Sequence, residues 1–326
     1  MKLNILVVVI LCLGLSCEEG LKNSSENTYS EEESISNIIS YKKLDNFASG
    51  SGMAHYNNYF YIVGDDDPYL AKLNEKGEIL QRWQLWDTND VQNGRINKKV
   101  KPDFEAISYF PFQQDTLLLI FGSGSKSPKR DVIFTFNPKK EEIDTLDGES
   151  FFAWLKETAD LTDDEVNLEG AAFHNGYLYL LNRHNNEMYM FPESGFRSFI
   201  KHRSTEDLTL EGYRYELPVY KNDSARFSGA SILSEKNQIL FSATIETTDN
   251  WEDDGKILGS FMGRIDLNNL KAQKPFCEPI FIDDTTRFQG KIEALHGIKN
   301  DKNLHIYFIT DDDDGSTGWG EVKMAK

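Results

Sequence analysis

The stretch VNLEGAAFHNGYLYLLNRHNNEMYMF, residues 166–191, decides the reading of the fold. An apolar run, LEGAAF, turns at Asn175-Gly176 into a stronger run, YLYLLN. A polar loop and a third run, MYMF, follow. Short aromatic and aliphatic runs bounded by Asn and Gly read as antiparallel strands joined by tight turns. One residue resists that reading. Glu169 stands at the head of the first strand, and a buried carboxylate is costly unless it is paired or bound to a cation.

The same block recurs along the chain. Its other copies open GSGMAHYNNYFYIV (from Gly50), DFEAISYFPFQQDTLLLIF (from Asp103), RFSGASILSEKNQILFSATI (from Arg226) and KIEALHGIKNDKNLHIYFIT (from Lys291). The equivalent first positions are Ser51, Glu105, Glu169, Ser228 and Glu293, spaced 54, 64, 59 and 65 residues apart. A block of three or four antiparallel strands at this period matches the blade of a β-propeller. The expected fold is an all-β, five-bladed β-propeller closed by an N-terminal outer strand, SNIISYKKLDNF (36–47). A six-bladed ring is the alternative and needs a further copy. The clearest helical pattern is SFFAWLKETADL (150–161), with Ser150 as its expected N-cap.

Composition narrows the function. The 326 residues carry 35 Lys and Arg against 53 Asp and Glu, a formal net charge of −18. That balance argues against nucleic acid and anionic lipid headgroups as partners, since both need basic patches, and it suits divalent cations. Lys2 precedes the apolar run LNILVVVILCLGLS and then Cys17. The run has the length of a signal peptide core rather than of a membrane span. LGLSC resembles a bacterial lipobox, although Leu15 stands where a smaller residue is usual. The expected organisation is a signal peptide over 1–16, a lipid (palmitate) anchor on Cys17, a disordered acidic tether over 17–40 and a propeller over 41–326. The expected location is the bacterial outer membrane or cell envelope, and the expected state a monomer. With Cys12 removed and Cys17 lipidated, Cys277 has no disulfide partner and reads as a small buried hydrophobe.

In a propeller the first strand of each blade lines the central channel, so Ser51, Glu105, Glu169, Ser228 and Glu293 converge at its mouth. Three converging carboxylates repel one another and some must stay protonated unless a cation joins them. Calcium, with six to eight oxygen ligands, resolves this, and the lack of His or Cys argues against zinc. Separate salt bridges, or magnesium, are the alternatives. The loops after the second strands return to the same face. They hold Asp65 to Asp67, GSGSKSPKR (122–130), Asn182 and Arg183, Glu246, and Asp311 to Asp314. Lys126, Arg130 and Arg183 are candidates for gripping phosphate. GSGSKSPKR lacks the strand–loop–helix context of a P-loop. Trp251 and Trp319 could stack a base or sugar, with core or rim packing as the alternative.

GSGMAHYNNYFYIVGDDDPY, DFEAISYFPFQQDTLLLIFGSGSK, LEGAAFHNGYLYLLNRH, RFSGASILSEKNQILFSATIE and KIEALHGI together resemble the blade starts of the calcium-dependent apyrases (soluble calcium-activated nucleotidases). The resemblance covers roughly residues 45–326. It implies one central calcium held by Ser51, Glu105, Glu169, Ser228 and Glu293. It also implies a nucleoside di- or triphosphate site over the metal, with Asp66, Lys126, Arg183 and Glu246 as contacts. KSPKR lacks the aromatic residue of that family's basic loop, and the arginine loop has one Arg where two are usual. Phytase-like and esterase-like bacterial propeller lipoproteins share similar Glu-Gly blade starts. The expected function is a calcium-dependent phosphohydrolase in which Asp66 or Glu246 positions water. The competing expectation is a binding or scaffold module that calcium only stabilises.

Overall fold

The alternating runs form strands almost throughout. The computed structural model describes residues 36–325 apart from 221, 248–255, 284, 300–302 and 313. A long first strand, β1 (Ser36–Ala48), precedes an antiparallel sheet of β2 (Gly50–Tyr56), β3 (Tyr59–Gly64), β4 (Tyr69–Leu73) and β5 (Ile79–Gln84). After a short hairpin, β6 (Val91–Gln92) with β7 (Arg95–Ile96), a second sheet holds β8 (Phe104–Phe112), β9 (Asp115–Gly122), β10 (Ile133–Asn137) and β11 (Glu142–Thr145). Helix α1 (Gly148–Ala159) leads to β12 (Leu168–His174), β13 (Tyr177–Asn182) and β14 (Glu187–Pro192). Helix α2 (Glu193–His202) then connects to β15 (Glu211–Arg214), which completes the third sheet. A hairpin of β16 (Val219–Tyr220) and β17 (Asp223–Ser224) precedes β18 (Arg226–Leu233), β19 (Gln238–Thr247), β20 (Lys256–Asp266) and β21 (Phe276–Phe281). The chain ends in β22 (Lys291–Lys299), β23 (Asn303–Asp311) and β24 (Ser316–Ala325).

β1 joins the two ends of the chain. It pairs antiparallel with β24, with Ile38 opposite Val322 and Lys42 opposite Trp319, and runs briefly parallel to β21. Through β1 the last seven strands become one eight-stranded sheet, ordered β18-β19-β20-β21-β1-β24-β23-β22. The first strands touch in the order β2, β8, β12, β18, β22, and β22 returns to β2. Two-residue turns set the register of the first and third hairpins. Asn57-Asn58 and Asn175-Gly176 are left-handed at both central residues, the geometry that matches the twist of the flanking strands.

The core is divided among the interfaces between consecutive sheets. Met53, Phe60, Ile309 and Trp319 fill the interface of the first and last sheets. Phe104, Ile107 and Phe136 join the first sheet to the second, and Phe227, Phe241 and Met188 join the third to the fourth. Both helices pack where the second and third sheets meet, through Phe151, Phe152, Leu155, Phe196 and Phe199. Trp319 is therefore a core residue. Cys277 is buried, and that burial pushes its thiol pKa up.

Three expectations need correction. The cap of α1 is Asp147, whose carboxylate accepts from Ser150 N at 3.0 Å, so Ser150 lies inside the first turn. Helix α2 was not foreseen, because its apolar positions Phe196, Phe199 and Ile200 follow a strand without a break. β1 reaches back to Ser36, taking 36–40 out of the expected tether. Cys17, the signal segment and Trp251 lie outside the described residues. Among the described residues no helix is long and apolar enough to cross a membrane.

His55 and His296, on adjacent first strands, stack at 4.8 Å between ring centroids. Burial, with His55 alongside, lowers the His296 pKa to about 3, and burial also lowers that of His55. Both are neutral in the fold, whereas a free histidine protonates near pH 6.5. The stability they contribute is thus complete above pH 6.5 and is lost as pH falls toward 3. The midpoint of thermal unfolding should fall less steeply from pH 6.5 to 4 in His296→Gln than in the wild type. Parallel curves would show that the pair is not responsible.

Candidate functional site

The five repeat-equivalent residues share one backbone device. In each first strand the pairing register slips by one residue, between Gly50 and Gly52, Phe104 and Ala106, Leu168 and Gly170, Phe227 and Gly229, and Ile292 and Ala294. The extra residues are Ser51, Glu105, Glu169, Ser228 and Glu293. A bulge re-aims its side chain, here away from the sheet-to-sheet core. The residue after each bulge is Gly or Ala because neighbouring first strands approach closely. A Cβ on Gly170 would lie 2.8 Å from Ala230 Cβ, and one on Gly229 would collide with the Glu293 carbonyl.

The two serines brace the glutamates of the next sheet. Ser51 Oγ donates to the Phe104 carbonyl and Ser228 Oγ to the Ile292 carbonyl at 2.6 Å, each one residue before a bulged glutamate. Ser51 lines the central cavity, and Ser228, fully buried, does not.

That cavity has a volume of about 510 Å³. Glu105, Glu169 and Glu293 lie in its lining with Asp65, Asp103, Glu246 and Asp311. Four enclosed cations answer them. Lys101 bridges Asp65 at 2.6 Å and Asp103 at 2.9 Å, and Arg130 meets Asp103 at 2.5 Å. Arg183 pairs with Glu246 at 2.7 Å, approaches Glu169 at 3.9 Å and donates to the Phe227 carbonyl and Thr244. Lys291 spans Glu293 at 2.7 Å and Glu246 at 3.3 Å.

The protonation equilibria register an excess of acid. Burial, then Glu169, Asp103, Asp65 and Glu293, holds the Glu105 carboxyl well above its ordinary range. Glu105 has no hydrogen bond or ion pair among the described residues. Burial raises Glu169 to about 8 despite Arg183, and Asp311 to about 8, with Asp65 adding to the rise. Glu293 is also raised by burial, partly offset by Lys291 and Arg183, and its Oε2 lacks a hydrogen-bond partner. Glu246 goes the other way. Burial alone would raise it, but Arg183 and Lys291 together bring it below its usual value.

The donor chemistry fits a hard cation. Glu105, Glu169, Glu293, Asp65, Asp103 and Asp311 offer only oxygen, and oxygen atoms of Asp65, Asp103 and Glu105 lie within 4.8 Å of one another. Carboxylates that would otherwise hold protons are those that gain most from a divalent ion.

Several expected contacts sit elsewhere. Asp66 is 2% exposed, pairs with Arg95 at 2.5 Å and does not line the cavity. The three acids of the first loop do different work, because Asp67 accepts from Ala48 N and Tyr69 N. Arg183 and Glu246 line the cavity but are bound to each other. Lys126 and Arg130 lie on its wall, with Lys98 and Lys129, which sequence reasoning missed. The run NKKVK (97–101), just before the Glu105 block, and KSPKR (126–130) were the available signal for them.

Comparison with known proteins now adds to the geometry. Residues 46–323 match a family of unknown function, DUF6929. The chain belongs to that family. No curated protein matches it. The glutaminyl cyclase of Myxococcus xanthus superposes with a TM-score of 0.50 at 10% identity, covering 90% of this chain and 98% of that one. An endo-arabinase from Bacteroides thetaiotaomicron gives 0.47 at 10% identity over 90% and 98% of the two chains. An endo-arabinanase from Bacillus licheniformis gives 0.44 at 9% identity over 86% and 95%. The cyclase likeness carries the fold alone, and this DUF6929 chain has an all-β, propeller-like fold.

Arg183→Ala would leave Glu246 and Glu169 facing each other without their guanidinium. Removing one partner of a buried pair costs about 3–5 kcal/mol, so the urea midpoint should fall sharply. An unchanged midpoint would mean that Arg183 does not hold the centre together.

Proposed function

We propose that this protein is a five-bladed β-propeller of the cell envelope, lipid-anchored at Cys17. In this reading its central cavity binds calcium and a phosphorylated small molecule and hydrolyses the phosphate ester or anhydride. The observation that carries it is the charge layout of one cavity. Nine carboxylates and nine Lys and Arg line it, but seven of the acids, Asp65, Asp103, Glu105, Glu169, Glu246, Glu293 and Asp311, gather around four cations, Lys101, Arg130, Arg183 and Lys291, while lysines stand together on the wall. The cyclic contact of the first strands supports five blades, and the resemblance to calcium-dependent apyrases supports the reaction class.

Glu105, Glu169 and Glu293 would hold the ion. When bound, calcium supplies a positive charge that polarises a phosphoryl oxygen. The chain's own groups do the rest. Lys126 and Arg130 grip phosphate oxygens. Lys291 and Arg183 keep Glu293, Glu246 and Glu169 in place. Orienting water falls to Asp311, which lines the cavity with one unpartnered oxygen, rather than to Asp66.

The pairing of Arg183 with Glu246 favours a second reading, a calcium-stabilised binding module without turnover. Phosphate release separates the two. The protein should release phosphate from at least one phosphate ester or anhydride in calcium and not in chelator. No release, in protein that calcium stabilises, would leave the binding module.

Calcium should also raise the unfolding midpoint, by about 2.7 kcal/mol at a hundredfold excess over Kd. Glu105→Gln should reverse sign between conditions. In chelator it replaces a carboxyl that burial and its acidic neighbours already favour in the neutral form and should not destabilise, whereas in calcium it should lose most of the added stability. Equal midpoints of the wild type in calcium and chelator would defeat the metal assignment.

A further inference from the structure

The cavity lining is polar almost throughout. Among the described residues Ile257 is its one large apolar side chain, and no Phe, Tyr or Trp faces it. A nucleobase is ordinarily held by an aromatic or apolar face, and each stacked base contributes about 1–3 kcal/mol. Among the described residues the cavity offers no such platform beyond the ring of His184. It offers instead a second cluster of positive charge, three lysines grouped around Arg130, whose guanidinium is anchored on Asp103 at 2.5 Å. Lys98, Lys126, Lys129 and Arg130 come from two loops and crowd one wall. Among the described residues Lys129 Nζ donates to the Lys98 carbonyl, at 3.3 Å. Arg130 Nε is buried without a hydrogen-bond partner. Burial, then Arg130 and Lys126, holds the Lys129 ammonium below its usual pKa, as expected of a cation crowded by others.

Like charges brought together on the wall of an otherwise acidic protein mark a place where an anion belongs. We infer that the ligand is a small, non-aromatic molecule with at least two phosphate groups, such as a phosphorylated sugar or polyol, and not a nucleotide. One phosphate lies over the acidic floor and another in the Lys98–Lys126–Lys129–Arg130 wall. A volume of about 510 Å³ accommodates a hexose bisphosphate. This rests on the phosphate-binding reading above and names its substrate class.

The test is isothermal titration of the whole protein in calcium, at low temperature, with fructose 1,6-bisphosphate, glucose 6-phosphate, ADP and citrate. The bisphosphate should bind at least about tenfold more tightly than the monophosphate and ADP, the worth of one charge-assisted contact. Lys98→Ala combined with Lys129→Ala should weaken the bisphosphate by about tenfold or more and leave the monophosphate within about twofold, with the unfolding midpoint unchanged. ADP binding as tightly as the bisphosphate would overturn the inference while the phosphate-binding reading stands. So would an unaffected double variant. Citrate binding equally well would overturn the phosphate assignment. If no phosphorylated compound binds, both readings fall.

Discussion

Everything at the centre of this protein follows from the cost of burying carboxylates. Glu105, Glu169 and Glu293 are 9%, 7% and 3% exposed, and each sits in a bulge and lines the central cavity. Such groups persist only if opposite charges come with them. The chain supplies Lys101 from just before a first strand, Arg183 from just after a second strand and Lys291 as the first residue of β22. These cations are not spread evenly. Arg183 approaches Glu169 and Lys291 pairs with Glu293, whereas Glu105 forms no ion pair among the described residues. The remaining negative charge is a property of the arrangement, and it makes the centre receptive to a cation.

The same network ties the sheets together. Lys101, preceding the second sheet, reaches Asp65 of the first. Arg183 of the third sheet holds Glu246 of β19, and Lys291 of β22 meets the same carboxylate. Ser51 and Ser228 add hydroxyl bonds across two further seams. Hydrophobic side chains fill the interfaces farther out, but near the axis the strands are too close for them. Small residues after each bulge permit the approach, and polar bonds replace apolar packing there. Stability and the character of the site therefore come from one set of contacts, so a change made to alter binding will also alter the fold.

The repeat was legible because three features recur together: an apolar strand, a polar turn and a Glu or Ser at the strand's head. That was enough to locate all five bulged residues and the closing strand, although no pattern in the residues announces a bulge as such. Helix α2 was hidden because it is only one interface deep and follows MYMF directly. The roles of single acids were less legible still. Asp65, Asp66 and Asp67 are identical in type and adjacent, yet one faces the cavity, one pairs with Arg95 and one caps backbone amides. Which does which depends on residues 30 or so positions away, Arg95 and Lys101, whose placement is a tertiary matter. Arg183 shows the same limit. Its loop position pointed to phosphate, but burial beside Glu246 gave it a structural partner first.

Long-range electrostatics sharpen what the cavity can be. The chain as a whole carries −18, so an approaching anion is repelled over most of the surface. Nine of its 35 Lys and Arg nonetheless line this one cavity: Arg95, Lys98, Lys101, Lys126, Lys129, Arg130, Arg183, Arg226 and Lys291. Lys101, Arg130, Arg183 and Lys291 are spoken for by the buried acids. Lys98 and Lys129 form no ion pair with those acids among the described residues. Their position is costly for folding, because each raises the repulsion felt by its neighbours. Cations kept together at such a cost, beside a floor where carboxylates outnumber the cations paired with them, divide the cavity into an anion-seeking wall and a cation-seeking base. A ligand that satisfies both must bring its negative charge in more than one group and reach from one to the other.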